Sequence, residues 1–236
     1  MWSGPRNIST AMMRAWENRP DTAVCDEPLY GYYLHTSGSP HPHAEEIMAA
    51  QGTDWRRIVE SVILGPAPED KPVFFQKHMT HHLLPEVERE WFGSVTHCFL
   101  IRDPEEVLIS YAKQRSEVLL EDVGIIQQAE IFDDVCERAG AIPPVLDARH
   151  VLENPERTLR LLCDRLDVPF SERMLSWPAG RRASDGVWAK HWYASVERST
   201  GFAKYTPKNE SPPPALKQFA EECEPHYRRL YDHRLR

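Results

Sequence analysis

The chain is short of several things, and each shortage removes a class of function. Cysteine is scarce: Cys25, Cys98, Cys136, Cys163 and Cys223 are the only five in 236 residues, and none shares the Cys-x-x-Cys spacing of a zinc or redox motif. Two of them fall in apolar strand-like runs, so free buried thiols in a reducing cytoplasm are expected rather than disulfides. No apolar run reaches membrane length and the start carries no secretory leader, which predicts a soluble, cytoplasmic protein without a membrane partner. Basic residues are outnumbered, 28 Lys and Arg against 36 Asp and Glu for a net charge of −8, which argues against a nucleic-acid surface. The Gly-x4-Gly-Lys-Ser/Thr loop of nucleotide kinases is absent and no magnesium-binding partner is evident. No segment repeats, and residues 1–236 are read as a single domain with a substantial core.

What is present begins almost at once. In Ser3-Gly4-Pro5-Arg6-Asn7-Ile8-Ser9-Thr10, Gly4 and Pro5 shape a tight turn, Arg6 supplies a permanent positive charge, and Ser9 and Thr10 open a helix continuing through Trp16. The first N–H groups and positive dipole end of such a helix face an anion, so a phosphate or sulfate ester is the expected ligand. An ordinary turn with a Ser/Thr cap is the plainer reading of this segment alone. A phosphate loop normally follows a strand of about five or six residues, yet only Met1 and Trp2 precede Ser3. Either the true start lies upstream or this strand is a stub, whose neighbours' backbone groups would be poorly paired and whose loop would be loosened.

Two later segments fit the first. Val95 to Ile101 reads as a buried strand, followed by Arg102-Asp103 and a helix opening at Pro104, with Ser110 two turns along it. A guanidinium and a hydroxyl so placed can converge on one phosphate. In Arg181-Arg182-Ala183-Ser184-Asp185-Gly186-Val187-Trp188, adjacent arginines precede a Gly-x-Trp turn. Further strands are expected at Thr22–Cys25, Val73–Gln76 and Pro144–Leu146, and helices at Trp55–Leu64, Pro104–Leu120, Gly124–Ala139 and Pro155–Leu166, with a final helix kinked or restarted at Pro225. This alternation predicts an α/β fold, a three-layer sandwich around a mostly parallel central sheet, with ligands at the strands' C-terminal edge. Thr36–His43 and Thr206–Pro214 read as mobile loops.

The three motif segments, in this order and spacing, resemble the phosphosulfate loop, the 3′-phosphate segment and the late Gly-x-Trp loop of sulfotransferases that use 3′-phosphoadenosine 5′-phosphosulfate. The resemblance covers nearly the whole chain. It implies that Gly4, Pro5, Arg6, Asn7, Ile8, Ser9 and Thr10 hold the 5′-phosphosulfate, and that Arg102, Ser110, Arg181 and Arg182 hold the 3′-phosphate, with no metal required. The family's loop has Ser-Gly where this chain has Asn7-Ile8, and losing that glycine restricts the backbone there. The late arginines lack the adjoining glycine. Arg6 cannot practically lose a proton, so its expected catalytic part is to stabilise charge.

Two residues compete for the base that takes the acceptor's proton. His78, beside Lys77 at a strand end, resembles the family's Lys-Thr-His segment without its threonine; Glu27, after the second strand, resembles a carboxylate used by some bacterial carbohydrate sulfotransferases. Glu27 is preferred, and burial would raise its proton affinity into a useful range. His78-x-x-His81-His82 lacks the carboxylate or cysteine pattern of a metal site. Tyr30, Tyr32, Tyr33, Trp188, Trp192, Tyr193 and Phe202 can line a pocket for a small-molecule acceptor bearing a hydroxyl or amine. The competing readings are a nucleotide kinase or hydrolase and a non-catalytic nucleotide-binding module.

Overall fold

The computed structural model describes residues 1–39, 41–113, 118–207 and 210–236. Among these lie five strands, β1 (Trp2–Ser3), β2 (Thr22–Asp26), β3 (Val73–Met79), β4 (Phe99–Ile101) and β5 (Val145–Asp147), separated by helices. The pairings β1–β4, β4–β5 and β2–β3 are all parallel, so the fold is α/β as the alternation predicts. The chain forms two compact units: Met1–Ser9 with Thr96–Phe170 and Ala203–Arg236, and Thr10–Val95 with Ser171–Phe202.

In the first unit β4 is central. Phe99 pairs with Trp2 on one side and Val145 on the other, and Phe99, Leu100 and Ile101 are wholly buried. The strand is shorter than the Val95–Ile101 run suggested. With only two residues of β1 and three of β5 to pair with, pairing reaches back only to the Cys98 carbonyl, which accepts from Trp2 N–H at 2.9 Å, and residues 95–97 lie outside the strand. The loosening foreseen for a two-residue β1 is not what the structure shows. Gln128, buried on the helix Ile125–Ala139, donates its amide to the carbonyls of Trp2 and Leu100, each at 3.0 Å. One side-chain amide thus ties β1 to β4 in addition to their own pairing. Asp103 caps the helix Pro104–Ala112 by accepting from the N–H groups of Glu105 and Glu106. Residues 114–117 of the longer helix expected there lie outside the described residues, as do Pro40 and residues 208–209 of the two expected loops. The last helix, Lys217–Tyr231, is one element with Pro225 inside it rather than a restart. Its neighbours are the helices Ile125–Ala139 and Pro104–Ala112 and the strands β4 and β5.

The second unit holds β2 and β3 with helix α1 (Ser9–Glu17), whose first residue belongs to the other unit. Met12, Met13, Ala15 and Trp16 are buried, and the Trp16 indole stacks on Phe75 of β3 at 5.2 Å. Register matters most here: Asp26 is the parallel partner of Lys77. Partnered residues on adjacent strands share a face, so the last residue of β2 and a late residue of β3 present their side chains together.

Candidate active site

The loop in the first unit is held from several sides. Gly4 is required by close approach, because a Cβ there would stand 2.6 Å from the Val123 carbonyl. Asn7, buried, donates its amide to the Leu100 carbonyl at 3.2 Å. Arg6 and Ile8 both adopt left-handed backbone, with φ of 62° and 58°. Ile8 stands where the resembling family has glycine and takes up a glycine conformation at a β-branched residue, at a cost on the order of 1–3 kcal/mol. The contacts of Gly4, Arg6 and Asn7 hold the loop around it.

Arg6 and Ser110 meet: the guanidinium Nε donates to Ser110 Oγ at 2.9 Å. Arg102 has its own partners within the protein. Its Nε and one terminal nitrogen bond Glu106 at 2.9 and 2.8 Å, and the other donates to the Arg6 carbonyl at 2.8 Å. Glu106 also accepts from the Tyr205 hydroxyl at 2.7 Å. Arg102 is thus paired with Glu106, whereas among the described residues Arg6 has no carboxylate in ion-pair reach. Burial pulls the Arg6 guanidinium below its usual value, and Arg102 adds to this against the opposing influence of Tyr111.

In the second unit a buried ammonium organises the charged centre. Lys77 Nζ lies 2.7 Å from Asp26 Oδ1 and 2.8 Å from Glu27 Oε1, and donates to Tyr193 OH at 2.6 Å and Thr10 Oγ1 at 3.3 Å. The Tyr193 hydroxyl donates to Asp26 Oδ2 at 2.7 Å, and Asp26 Oδ2 also accepts from the Gly186 N–H at 3.2 Å. Burial opposes the Lys77 charge, but Asp26 and Glu27, with Tyr193, outweigh it and hold the ammonium well above its ordinary value. Burial pushes the Glu27 carboxyl above the usual carboxylate range, with Asp26 adding and Lys77 resisting. Glu27 itself has a left-handed backbone, φ 45°. It is fixed there by its N–H bonding the Lys77 carbonyl at 2.9 Å and its own carbonyl accepting from Tyr30 N–H and Gln51.

Strand alternation separates the two candidate bases. His78 follows Lys77 on β3 and points to the opposite face, where its ring meets Gln76 Oε1 at 3.2 Å and Trp91. The imidazole near Glu27 is instead His82, whose Nδ1 is 3.8 Å from Glu27 Oε2. Arg181 is exposed and Arg182 partly so, and they lie near Glu197 and Glu17 at 3.7 and 3.6 Å. The same late loop is pinned by Asp185, a fully buried partner of Arg14 on α1 at 2.6 Å. The Gly-x-Trp spacing has a steric cause: a Cβ at Gly186 would stand 2.2 Å from the Trp188 ring, and the indole N–H donates to Tyr193 OH at 3.2 Å. Tyr30 stacks on Tyr33 and His82 and meets Trp188 edge-on, and Tyr33 also stacks on His82, whereas Phe202 packs on Trp177.

Sequence reasoning left Asp26, Lys77 and Tyr193 outside the chemical core. The strand register could have signalled the first two, since two charged residues at aligned strand ends must pair if both are buried. Among the described residues no group of histidines, cysteines and carboxylates has the arrangement of a metal site, and no helix is long and apolar enough to cross a membrane.

A family profile described as the sulfotransferase domain matches residues 1–230. Branched-chain-amino-acid aminotransferase-like protein 2 of Arabidopsis thaliana is 34% identical over 232 residues, 98% of this chain and 41% of its own length. Branched-chain-amino-acid aminotransferase-like protein 1 of the same plant is 38% identical over 202 residues, 86% of this chain and 36% of its own. The chain thus spans about two fifths of these curated relatives. Among solved structures, the sulfotransferase domain from the curacin biosynthetic pathway shares the fold at a TM-score of 0.52, with 14% identity over 94% of this chain and 95% of that one.

Proposed function

We propose that this chain, which belongs to the sulfotransferase family, moves a sulfuryl group from 3′-phosphoadenosine 5′-phosphosulfate to a hydroxyl or amine of a small-molecule acceptor, acting as one functional domain without a metal. The observation that carries this reading is the Thr10–Lys77–Glu27 connection. One buried ammonium holds both a hydroxyl in the first turn of α1 and a carboxylate with raised proton affinity.

The residues fit a polyanionic donor. Arg6 and Arg102 bring two positive charges against the single carboxylate of Glu106, and the first N–H groups of α1 add a positive dipole end. Loop residues Gly4 to Thr10 would hold the phosphosulfate, with Arg102, Ser110, Arg181 and Arg182 toward the 3′-phosphate. When bound, the donor supplies the sulfuryl group and a phosphate leaving group. Arg6, unable to give up a proton, stabilises the charge that grows on the leaving oxygen. Lys77 fixes Glu27 by its Oε1, which leaves Oε2 to take the acceptor's proton. Glu27 is favoured over His78 because His78 lies on the other face of β3. Its raised proton affinity brings it toward the operating range of a general base.

The test is ligand selectivity followed by turnover. At equal concentration adenosine 3′,5′-bisphosphate raises the melting temperature more than ATP with magnesium, as a ligand that binds only the native state must. The donor, incubated with pooled metabolites and EDTA, is expected to yield products heavier than their acceptors by one SO3 group. A reproducible preference for ATP with magnesium would replace this reading with a nucleotide kinase or hydrolase. Tight bisphosphate binding with no transfer to any acceptor would leave a binding module.

A further inference from the structure

Glu27 Oε2 faces His82 Nδ1 across 3.8 Å, and that gap is the least explained contact in the centre. His82 is 2% exposed, its Nδ1 has no hydrogen-bond partner among the described residues, and its ring packs against aromatic side chains. Tyr30 stacks on it at 4.3 Å and 9°, Tyr33 at 4.9 Å and 27°, while His81 meets it edge-on. A buried imidazole nitrogen aimed at a carboxylate oxygen would close to bonding distance if it carried the proton, since the N–H donor and the anion attract. A standing gap is what two lone pairs facing each other produce.

We propose that His82 is a positioning residue which shares the proton taken up by Glu27: its proton sits on Nε2, and Nδ1 accepts from Glu27 Oε2–H once the carboxyl is protonated. The inference rests on the reading of Glu27 as the base. The balance is simple. The acceptor's O–H or N–H proton passes to Glu27 Oε2, and the new O–H donates to Nδ1 after a closure of about 1 Å, to about 2.7–2.9 Å. No group is oxidised and His82 gains no net charge. The groups around the pair agree with a neutral imidazole. Burial, then His81, Lys77, His78 and His41, hold His82 well below its ordinary value; Lys77, Asp26 and Tyr193 surround Glu27 from β3, β2 and the late loop.

The experiment is a carbon-13 NMR titration of the full chain labelled at the glutamate carboxyl, with Glu27 assigned by its loss in Glu27→Gln. His82→Phe keeps a ring against Tyr30 and Tyr33 and removes the acceptor nitrogen. The Glu27 midpoint is expected to fall by about one pH unit, and the acidic limb of kcat to fall with it. An unmoved midpoint in folded His82→Phe overturns the proposal. Should that variant fail to fold, the nitrogen-15 shift of His82 in the wild type decides: Nδ1 is expected to be the unprotonated nitrogen, and a proton on Nδ1 overturns the proposal. Full transfer by Glu27→Gln would remove Glu27 as base while leaving the shared proton standing on the titration.

Discussion

The two charged regions invert one another. Beside Arg6, whose guanidinium meets Ser110, stands Arg102 with Glu106 as its carboxylate partner; around Lys77 one ammonium is held by two carboxylates. The first is left with positive charge and lies on a half-buried loop, the arrangement that holds an anion from solution. The second is left with negative charge in a place where Lys77 and Asp26 are each 1% exposed. Burial there makes a second carboxylate costly and a proton welcome. On the proposed reading the first region binds the anion and the second takes up the proton.

The strongest way to break the comparison is to remove the ammonium. Lys77→Met leaves Asp26 and Glu27 buried without a cation and should cost about 3–5 kcal/mol of stability at pH 8, measured by urea unfolding. Protonating the carboxylates relieves the repulsion, so the deficit should shrink toward pH 5. A loss under about 1 kcal/mol would mean that the pair is hydrated rather than buried.

Much of this architecture is legible in the sequence, and the failures have causes. The loop, the Pro104 helix start and the strand at Val73 follow from local signals: Gly and Pro at a turn, Pro in a first turn, an apolar run. The extent of β4 does not, because it is fixed by how many residues β1 and β5 offer as partners. Gln128 reads as an ordinary polar helix residue until its amide is seen on two strand carbonyls. The pairing of Arg102 with Glu106, one helical turn on, is likewise not legible from the sequence alone. Lys77 and His78 are adjacent letters, and only strand alternation shows that the first faces the charged centre.

A second prediction sharpens the anion side. Arg6→Gln should weaken adenosine 3′,5′-bisphosphate by about 2–3 kcal/mol, or about 30–150-fold, as loss of a charge-assisted contact does. Titration calorimetry reads this, and an unchanged affinity would remove Arg6 from the site.

Arg102→Ala should do less, about 1–1.5 kcal/mol on the same ligand, because Glu106 already engages it and its remaining nitrogen supports the Arg6 carbonyl. Adenosine 5′-monophosphate should lose less still. Equal losses for both nucleotides would mean that Arg102 does not read the 3′-phosphate.

A smaller effect concerns stability against pH. Glu27 has a folded pKa above its unfolded value, so its protonated form favours folding, and the wild type loses this contribution as pH rises through the folded pKa. Glu27→Gln escapes the loss and should exceed the wild type by about 0.5–1 kcal/mol at pH 8, with the gap closing toward pH 4. Unfolding curves at the two pH values check both the sign and the trend.

The division of labour is tested most directly by titrating adenosine 3′,5′-bisphosphate into Glu27→Gln by calorimetry, in protein whose transfer activity has been measured alongside. The account predicts a Kd within about twofold of wild type while turnover falls by about 10²–10⁴-fold. A loss of affinity matching the loss of turnover would contradict it, since Glu27 would then belong to the anion site rather than to the proton's path.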